Sequence, residues 1–326
     1  PMKVCVTGGA GFIGSEAVRR LMKGGHEVRC LVRPGSGTGR IDATGAHLVR
    51  GDLKNRASLL EGMRGCDRVI HAAAAYSFWA PDRRIYREVN VDGARNVMEC
   101  ALEAGVSKVV HVGTVVAYGA SGRTTVTEET PPGPVHLSEY ARTKQEGEEI
   151  AWRLRETRGL PLVVVMPGGV LGAGDPKASG SYIRDLVQGR MPARVLENSP
   201  FPWVHVRDVA EGIVRAAEKE GNAGERYFLV GENLTFGEIN RMISEIAGIR
   251  LPRMRLPDGF TLAGALLLTA LARLTGKPPM LGLSLDQIRT MKGGLVVDGS
   301  KAVRELEIRY TPVRAAIEEE IASLRP

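Results

Sequence analysis

The run Thr7-Gly8-Gly9-Ala10-Gly11-Phe12-Ile13-Gly14 lies between a short apolar segment, residues 4–6, and a helical pattern over residues 12–23. Glycines at this place let a pyrophosphate approach the backbone, and the helix that follows presents unpaired N–H groups and the positive end of its dipole. A glycine pattern alone is weak evidence, but this one has the strand, turn and helix context that a dinucleotide site requires. We therefore predict that a dinucleotide is bound by Thr7, Gly8, Gly11, Phe12, Ile13 and Gly14.

The first half of the chain continues this alternation of strands and helices. Strands are predicted at residues 27–32, 47–50, 68–71, 108–113 and 162–166, with helices at 57–63, 83–104 and 138–157. Strands joined through helices form right-handed βαβ units and a parallel sheet that is covered on both faces. After Met166 the pattern changes to Gly/Pro-rich loops and shorter elements. We predict an α/β protein, with a doubly wound dinucleotide-binding domain at 1–166 and a smaller, mainly helical substrate domain at 167–326, some of whose segments return to the large sheet.

Composition and charge narrow the class of protein. Of the 326 residues, 43% are hydrophobic and 25% are charged, which is typical of a soluble globular protein and excludes a disordered or collagen-like chain. The net charge of +7 is spread over interleaved acids and bases without a run of five basic residues, so we expect no nucleic-acid partner. The cysteines at positions 5, 30, 66 and 100 lack C-x-x-C spacing, so we expect buried thiols in a reducing cytoplasm and no disulfide or metal site.

The residue at the end of the second strand usually determines whether NAD or NADP is bound. An NAD enzyme tends to have an acidic residue there for the ribose 2′-hydroxyl, whereas this chain reads Leu31-Val32-Arg33-Pro34. The planar guanidinium of Arg33 suits a 2′-phosphate, and Arg40, across a glycine-rich loop, is placed to assist. We predict a preference for NADP(H), with NAD(H) as the alternative. A surface arginine beside a loop is the other interpretation of Arg33.

Residues after the third and fourth strands are also candidates for the cofactor site, because ligands of such sheets bind at the carboxyl ends of the strands. Asp52 is placed to accept a hydrogen bond from the adenine amine, and Leu53 lies beside it. Ala72, Ala73 and Ala74 are small enough for a dinucleotide to lie over the sheet edge.

Tyr140 and Lys144 are four residues apart near the start of a predicted helix, which places them on one face. A nearby ammonium group is expected to lower the pKa of the Tyr140 phenol and so to prepare it as a general acid/base. Thr114 ends the preceding strand, where a hydroxyl can hydrogen-bond a reacting carbonyl. We predict that Thr114, Tyr140 and Lys144 are catalytic.

These motifs occur in the order and spacing of a known family. The Thr7–Gly14 run, Asp52, Asn90, Thr114 and the Tyr140/Lys144 pair resemble the extended short-chain dehydrogenase/reductases, the NAD-dependent epimerase/dehydratase family, whose fold is of the Rossmann type. The resemblance implies that Thr114, Tyr140 and Lys144 form the catalytic triad. It also implies that Lys144 holds the nicotinamide ribose and that Pro167 lines the nicotinamide pocket.

Within that family, residues 76–82 and 224–227 are similar to the dihydroflavonol-reductase-like branch and to the hopanoid-associated sugar epimerases. Two positions depart from the family pattern. Gly113 stands where many members have a second Ser, and Met166 stands where an Arg often precedes the Pro. Neither change removes a catalytic group, but both affect the expected substrate contacts.

The substrate side is less clearly marked in the sequence. Tyr76, Phe78 and Trp79 follow the fourth strand and suggest an aromatic wall, with core packing as the other interpretation. Trp203 and His205 are candidates for the opposite wall, although a structural role is the favoured interpretation of His205. We expect Asp208 to cap a helix.

Residues 260–272 are apolar almost all round. A segment of 13 residues is shorter than the roughly 20 that span a bilayer, so we predict no transmembrane segment. Such a helix is normally buried in a core or a subunit interface, which is our expectation. The alternative is a partly exposed helix that covers the pocket or touches a membrane.

Taken together, the residues and the resemblance predict a cytoplasmic NAD(P)-dependent oxidoreductase that transfers hydride from NADPH to a ketone or aldehyde. A sugar or nucleotide-sugar epimerase that retains its NAD is the alternative. A catalytically silent dinucleotide-binding protein is a further alternative from another class, which the intact Tyr140/Lys144 pair disfavours. The partner is a small carbonyl or alcohol substrate, and a homodimer is the family's habit.

Overall fold

The structure is a computed structural model that describes residues 1–324. Within them the strands are β1 Lys3–Thr7, β2 Glu27–Val32, β3 His47–Arg50, β4 Arg68–His71, β5 Lys108–Val112, β6 Thr125–Val126, β7 Leu162–Pro167, β8 Gly169–Leu171, β9 Pro200–His205, β10 Arg226–Leu229, β11 Glu232–Thr235 and β12 Val296–Val297. The helices are α1 Phe12–Lys23, α2 Arg56–Met63, α3 Arg84–Arg87, α4 Ala94–Glu103, α5 Glu139–Arg158, α6 Ala178–Val187, α7 Val206–Glu218, α8 Phe236–Ala247, α9 Asp258–Thr275, α10 Leu285–Lys292, α11 Ser300–Leu306 and α12 Val313–Ser323. A π-helical turn, Glu88–Gly93, joins α3 to α4.

Seven strands form one parallel sheet in the spatial order β3-β2-β1-β4-β5-β7-β10. The chain first builds outward from β1 through β2 to β3, and then returns to build the other side from β4. Thr7 at the end of β1 is consequently paired with Leu31 on one side and with His71 on the other. The order of the strands reverses between β1 and β4, and ligands of such sheets bind beyond the carboxyl ends at this reversal.

Alternating side chains of the central strands supply two apolar layers. On β1, Val4 and Val6 join the layer that includes α1 and α7, while Cys5 joins the layer that includes α2 and α4. Burial of each such side chain contributes roughly 1.5–3 kcal/mol, so a sheet that is covered on both faces is strongly stabilised. All four cysteines are buried and free, as the sequence predicts.

The second half of the chain adds a smaller unit at the carboxyl edge of the large sheet. β8, β9 and β11 form a three-stranded sheet, and β6 pairs with β12. A third apolar cluster contains residues of α6, α8, α10 and α12. One strand of this half, β10, pairs with β7 in the large sheet.

The Rossmann-type fold predicted from the sequence is confirmed, and the small sheet is what the prediction missed. β9 contains Pro200 and Pro202, and β8 begins at Gly169. Proline and glycine are typical of loops, and β8 has only three residues, so the local sequence does not indicate these two strands.

The expectation that the apolar segment near residues 260–272 is a buried core helix is wrong, whereas its burial in a subunit interface stays a prediction. It forms α9, in which Thr261, Ala265, Thr269 and Ala272 are buried, while the large side chains of the opposite face are exposed. The small residues of α9 pack against the rest of the protein, so its leucines on the opposite face are exposed to solvent. By length and composition alone, α9 is the one helix within residues 1–324 that is long and apolar enough to cross a membrane.

Candidate active site

Tyr140 and Lys144 lie on the buried face of α5, in its first two turns. The helix begins at Glu139 because the Ser138 hydroxyl accepts a hydrogen bond from the Ala141 amide at 3.0 Å and caps it. The four-residue spacing then sets the phenol and the ammonium group one turn apart, and both side chains are buried. The helix cap therefore fixes where these two side chains point.

Thr114 meets this pair from the sheet. It follows β5 in an extended conformation, with φ −159° and ψ 138°. Its hydroxyl is near enough to the Tyr140 phenol to lower the pKa of that group against the effect of burial. The Lys144 ammonium donates to the Val112 carbonyl at 2.6 Å. The structure thus brings together, at the carboxyl end of β5, the three residues that the sequence suggests as catalytic.

Burial sets the protonation of this site. It raises the pKa of Tyr140 to about 12, and the neighbouring Thr114 hydroxyl offsets only part of that effect. Burial also lowers the pKa of Lys144 to about 8. The expectation that Lys144 lowers the pKa of Tyr140 is therefore wrong for this structure, because desolvation of the phenol dominates and the ammonium group points to a backbone carbonyl. At neutral pH the phenol keeps its proton.

Glu148 continues the same face of α5 one turn after Lys144. Its carboxylate accepts hydrogen bonds from Trp152 Nε1 at 2.9 Å and from Arg226 Nη2 at 3.0 Å. Its negative charge raises the pKa of Lys144 against the effect of burial. Gly113 leaves room for it, since a Cβ there would lie 3.1 Å from Glu148 Oε2. This buried carboxylate is not among the residues predicted from the sequence, although its four-residue spacing from Lys144 was a signal for it.

Two buried histidines, His71 on β4 and His111 on β5, lie in the sheet near Lys144. His71 Nδ1 is hydrogen-bonded to the Thr7 hydroxyl at 2.7 Å, and the two imidazole rings are 5.3 Å apart. Burial and the charge of Lys144 lower both pKa values, that of His71 to about 3. The rings are therefore neutral at physiological pH and add no positive charge beside Lys144.

The glycine run forms a tight turn between β1 and α1. Gly8 has φ +75°, and a Cβ there would lie 2.5 Å from the Ala73 nitrogen. A Cβ on Gly14 would overlap the Gly8 carbonyl oxygen. Gly11 precedes α1 without a side-chain cap, and the first turn has no acidic residue, so the leading N–H groups suit an anion. These features fit the pyrophosphate of a dinucleotide.

Arg33 and Arg40 flank this turn in different ways. Arg33 is exposed at the carboxyl end of β2, as expected for a residue that binds a ligand or faces solvent. The Arg40 guanidinium donates to the Gly174 carbonyl at 2.6 Å and lies over the Phe12 ring, 5.7 Å from its centroid. Arg40 therefore ties its loop to the second half of the chain.

The remaining cofactor candidates lie at the ends of strands or in the first turn of α1. They are Thr7, Ile13, Asp52, Leu53, Ala72, Ala73, Ala74 and Pro167. The hydroxyl of Thr7 is buried and bonded to His71, so its side chain supports the sheet from within. Asp52 Oδ1 accepts a hydrogen bond from the Lys54 amide at 2.9 Å, which fixes the turn after β3.

Two aromatic rings lie beside the Tyr140 ring. The ring centroids of Tyr76 and Phe78 lie 5.1 Å and 6.1 Å from that of Tyr140. Lys177, which precedes α6 and is not among the residues predicted from the sequence, donates to the Tyr76 carbonyl at 2.7 Å. Trp79 is half-buried, with its backbone amide bonded to the Ser77 hydroxyl. The structure therefore sets Tyr76 and Phe78 directly beside the catalytic candidates.

Asn90 anchors the loop that carries these aromatic residues. It lies in the π-helical turn, and its Oδ1 accepts a hydrogen bond from the Ala75 amide at 2.8 Å. Its Nδ2 donates to the Thr143 hydroxyl at 3.1 Å, on the helix of Tyr140. One amide thus connects the aromatic loop to α5.

Trp203 and His205 are buried and do not form an opposite wall, which corrects the expectation for Trp203 and agrees with the structural role favoured for His205. The Trp203 ring is buried against Phe201, and its Nε1 donates to the Leu234 carbonyl at 3.2 Å. His205 is fully buried, and its Nδ1 accepts from the Arg207 amide at 3.0 Å and so caps α7. Trp203 Nε1 and His205 Nδ1 therefore form their hydrogen bonds within the protein.

Asp208 does not cap α7 either, since His205 holds that position. Asp208 accepts hydrogen bonds from the Thr311 amide at 2.6 Å and from the Thr311 hydroxyl at 2.9 Å. Its carboxylate therefore ties α7 to the segment that precedes α12.

Comparison with known proteins gives a family match over most of the chain. The family model described as "NAD dependent epimerase/dehydratase family" matches residues 4–231. The chain is 32% identical over 319 residues to the "Putative dihydroflavonol 4-reductase" of Synechocystis sp. (strain ATCC 27184 / PCC 6803 / Kazusa), covering 96% of this chain and 91% of that protein.

Two further similarities extend over nearly the whole chain. "Sterol demethylase protein B" of Methylococcus capsulatus (strain ATCC 33009 / NCIMB 11132 / Bath) is 33% identical in an alignment of 327 positions that covers 99% of this chain and 98% of that one. The crystal structure of gox2253 superposes with a TM-score of 0.87 at 36% identity, covering 100% of this chain and 98% of that one. The same fold therefore extends through both halves of the molecule.

Proposed function

The chain belongs to the NAD dependent epimerase/dehydratase family of NAD(P)-dependent oxidoreductases, and from this premise we propose that it is a reductase that transfers hydride from NADPH to an apolar ketone or aldehyde. The observation that carries the proposal is the buried Thr114–Tyr140 pair, with Lys144 one turn away and aromatic rings beside it. A protonated phenol in an apolar setting is suited to giving a proton to a carbonyl oxygen.

We assign the steps of the reaction to the three residues as follows. The Thr114 hydroxyl hydrogen-bonds the substrate carbonyl oxygen and orients it. The Tyr140 phenol, whose pKa of about 12 keeps it protonated, gives its proton to that oxygen as the negative charge develops. The Lys144 ammonium, which donates to the Val112 carbonyl in this structure, would turn to the phenolate once its negative charge has formed. The product is an alcohol.

The cofactor-binding part of the proposal covers residues 1–166, and substrate recognition falls to residues 167–326 together with the Tyr76–Phe78 loop. The chemistry that bound NADPH supplies is hydride transfer to the carbonyl carbon. The turn at Gly8–Gly14 would hold the pyrophosphate, and Arg33 would hold the 2′-phosphate. Lys144 and Pro167 would border the nicotinamide end, as in the family.

An NAD-retaining sugar epimerase is the second candidate, and the description of the family favours it. The Tyr76 and Phe78 rings favour the reductase, because they set an apolar surface beside Tyr140 where a sugar would require polar partners. The two similar proteins whose names mention a dihydroflavonol and a sterol also support an apolar substrate.

Release of the cofactor from the purified protein separates these two candidates. The protein is denatured, and any released dinucleotide is identified by chromatography. We expect no dinucleotide or an exchangeable NADP(H), together with consumption of NADPH when apolar ketones and aldehydes are added. Stoichiometric NAD⁺ would support the epimerase and would contradict the role given to Arg33. NADPH binding without turnover of any carbonyl would indicate a silent binding protein.

Arg33 provides a direct test of cofactor choice. Replacement by Ser removes a charge-assisted hydrogen bond to the 2′-phosphate, and we expect the Kd for NADPH to rise about 10- to 100-fold while the Kd for NADH changes little. Fluorescence titration with both cofactors measures the two values. Arg158→Ser, at the exposed end of α5, is the matched control. Equal weakening of NADH and NADPH binding would contradict the assignment.

Glu148 provides a test through pH. We expect activity to fall as the pH rises through the pKa of Lys144, about 8, because the ammonium group is then lost. Glu148→Gln removes the negative charge that raises this pKa, so the fall in kcat/KM should occur at a lower pH. Trp152→Phe removes a hydrogen bond to Glu148 but leaves its charge, and its pH profile should match the wild type. Identical profiles for E148Q and the wild type would show that Glu148 is only structural.

We further propose that the enzyme acts in the cytoplasm on a small molecule, without a nucleic-acid partner. We also propose a homodimer through helix faces of the Rossmann-type domain, in keeping with the general prevalence of such dimers. Light scattering of the purified protein measures the oligomeric state.

A further inference from the structure

The exposed apolar side chains of the protein are concentrated in one place. Ten large apolar side chains are exposed within residues 1–324, and eight of them lie between residues 254 and 280. Phe260, with 72% of its surface exposed, and Leu274, with 84%, lie near the two ends of α9. Large exposed apolar patches of this kind mark interaction sites. We call the exposed side chains between residues 254 and 280 the α9 surface.

The two faces of α9 differ in the size of their side chains. The buried positions Thr261, Ala265, Thr269 and Ala272 follow a spacing of four, four and three residues, which is one helical stripe. Leu267, Leu271 and Leu274 recur with a similar spacing on the opposite side and point outward. One stripe therefore fixes the helix to the protein along its length, and the other is free for a partner. A helix that is held in this way lies flat on the surface instead of crossing a membrane.

Positive charge borders this apolar face at both ends. Between residues 250 and 281 there are five basic residues and a single acidic one, Asp258. Arg253 precedes the helix, and Arg273 and Lys277 lie at its other end, all three exposed. Within residues 1–324 none of these three forms a salt bridge. The α9 surface is therefore an apolar strip with unpaired cations at each end.

This distribution of charge discriminates between the partners that an apolar helix can have. If two copies paired through α9, in either orientation, the basic ends would face basic ends, and like charges would oppose the contact. An anionic lipid surface satisfies both features, because apolar side chains enter the acyl region while Lys and Arg meet the headgroups. We propose that the α9 surface docks the protein on anionic membranes.

The α9 surface is connected to the candidate active site. The Thr269 hydroxyl of α9 accepts a hydrogen bond from the Leu285 amide at 2.9 Å, and the Ser284 hydroxyl donates to the Phe78 carbonyl at 3.0 Å. Phe78 is one of the rings beside Tyr140. Docking would therefore bring the aromatic wall near the lipid, and a substrate dissolved in the membrane would fit it. This last point rests on the proposed function, whereas docking itself does not.

Co-sedimentation of the full protein with lipid vesicles tests the proposal. Vesicles of phosphatidylcholine alone are compared with vesicles in which about one third of the lipid is phosphatidylglycerol. We expect binding to the anionic vesicles, weaker binding at high salt, and little binding to the neutral ones. Absence of binding to the anionic vesicles would overturn the proposal, whatever the outcome for catalysis.

Two triple variants separate the contributions of the apolar and basic residues. L267S/L271S/L274S should weaken binding by at least about 100-fold, because the inserted side chains are lost. R253Q/R273Q/K277Q should weaken it by about 100-fold at low salt, given the attraction expected for each charge. V135S and K23Q/R123Q/R158Q are the matched controls, with exposed residues elsewhere, and should bind as the wild type does.

NADPH binding and circular dichroism should be unchanged in both triple variants, since none of these side chains belongs to the cofactor site or the core. If the leucine variant still binds anionic vesicles as the wild type does, the α9 surface is not the docking site. If light scattering shows that the wild type is a dimer which this variant converts to a monomer, the surface joins two copies, and the proposal is likewise overturned.

Discussion

Replacement of Tyr140 by Phe is expected to lower kcat by about 100- to 10,000-fold, the range over which a positioned general acid accelerates a reaction. The variant loses one oxygen atom and keeps the ring that packs against Tyr76 and Phe78. The proton then has to come from water, which the burial of this site disfavours. Steady-state rates with NADPH and an active ketone measure the loss.

The binding of NADPH distinguishes a catalytic defect from a structural one. Tyr140→Phe should leave the Kd for NADPH within a few-fold of the wild type, since the ring remains in place. Tyr182→Phe removes a comparable hydroxyl, which donates to Asn240 Oδ1 at 2.6 Å outside the site, and should retain activity. If Tyr140→Phe turned over within a few-fold of the wild type, the mechanism proposed for Tyr140 would be wrong.

The parts of this site that sequence reasoning could predict are those with a fixed local geometry. The four-residue spacing of Tyr140 and Lys144 determines one helical face, and the position of Thr114 at a strand end determines which edge of the sheet it occupies. The turn at Gly8 follows from the need for a positive φ, here +75°. In each case the position of these residues follows from the spacing of residues close in the sequence or from the common edge at which parallel strands end.

The protonation of the site could not be predicted, because it depends on how far tertiary packing removes water. Proximity in the sequence suggested that Lys144 would lower the pKa of Tyr140, whereas burial raises it to about 12. The partners of Glu148 are similarly non-local, since Arg226 lies 78 residues further along the chain. Desolvation and long-range pairing are properties of the folded state and leave little trace in local patterns.

The same limit left two interpretations open at His205 and led to the wrong expectation of a core helix for α9. A histidine at a strand end can bind a ligand or cap the next helix. The hydrogen bond that His205 Nδ1 accepts from the Arg207 amide at 3.0 Å shows that it caps α7. An apolar helix can bury its leucines or its alanines, and hydropathy does not distinguish the two. In α9 the neighbouring elements accept Ala265 and Ala272, so the larger residues face outward.

Replacement of Gly8 by Ala is expected to have the second large effect, on cofactor binding. A Cβ at this position would lie 2.5 Å from the Ala73 nitrogen and 2.7 Å from the Ala72 carbonyl carbon, both backbone atoms that cannot rotate away. The positive φ adds roughly 1–2 kcal/mol of strain for a residue with a side chain. The turn must therefore shift relative to the end of β4, on which the cofactor is proposed to lie. We expect the Kd for NADPH to rise by at least about 100-fold, since misplaced donors lose several hydrogen bonds to the pyrophosphate.

Fluorescence titration measures this loss, and thermal unfolding shows whether the variant is folded. Gly37→Ala, in a loop where a Cβ would meet nothing within 4 Å, is the matched control and should bind NADPH normally. If Gly8→Ala does not fold, Gly11→Ala replaces it, because a Cβ there lies 3.2 Å from the Gly8 carbonyl oxygen and is more easily accommodated. That variant should fold and still bind NADPH more weakly, since its methyl group stands at the start of α1, where the phosphates are expected. Normal binding by both variants would show that the cofactor does not contact this turn, and would move the proposed site elsewhere in the molecule.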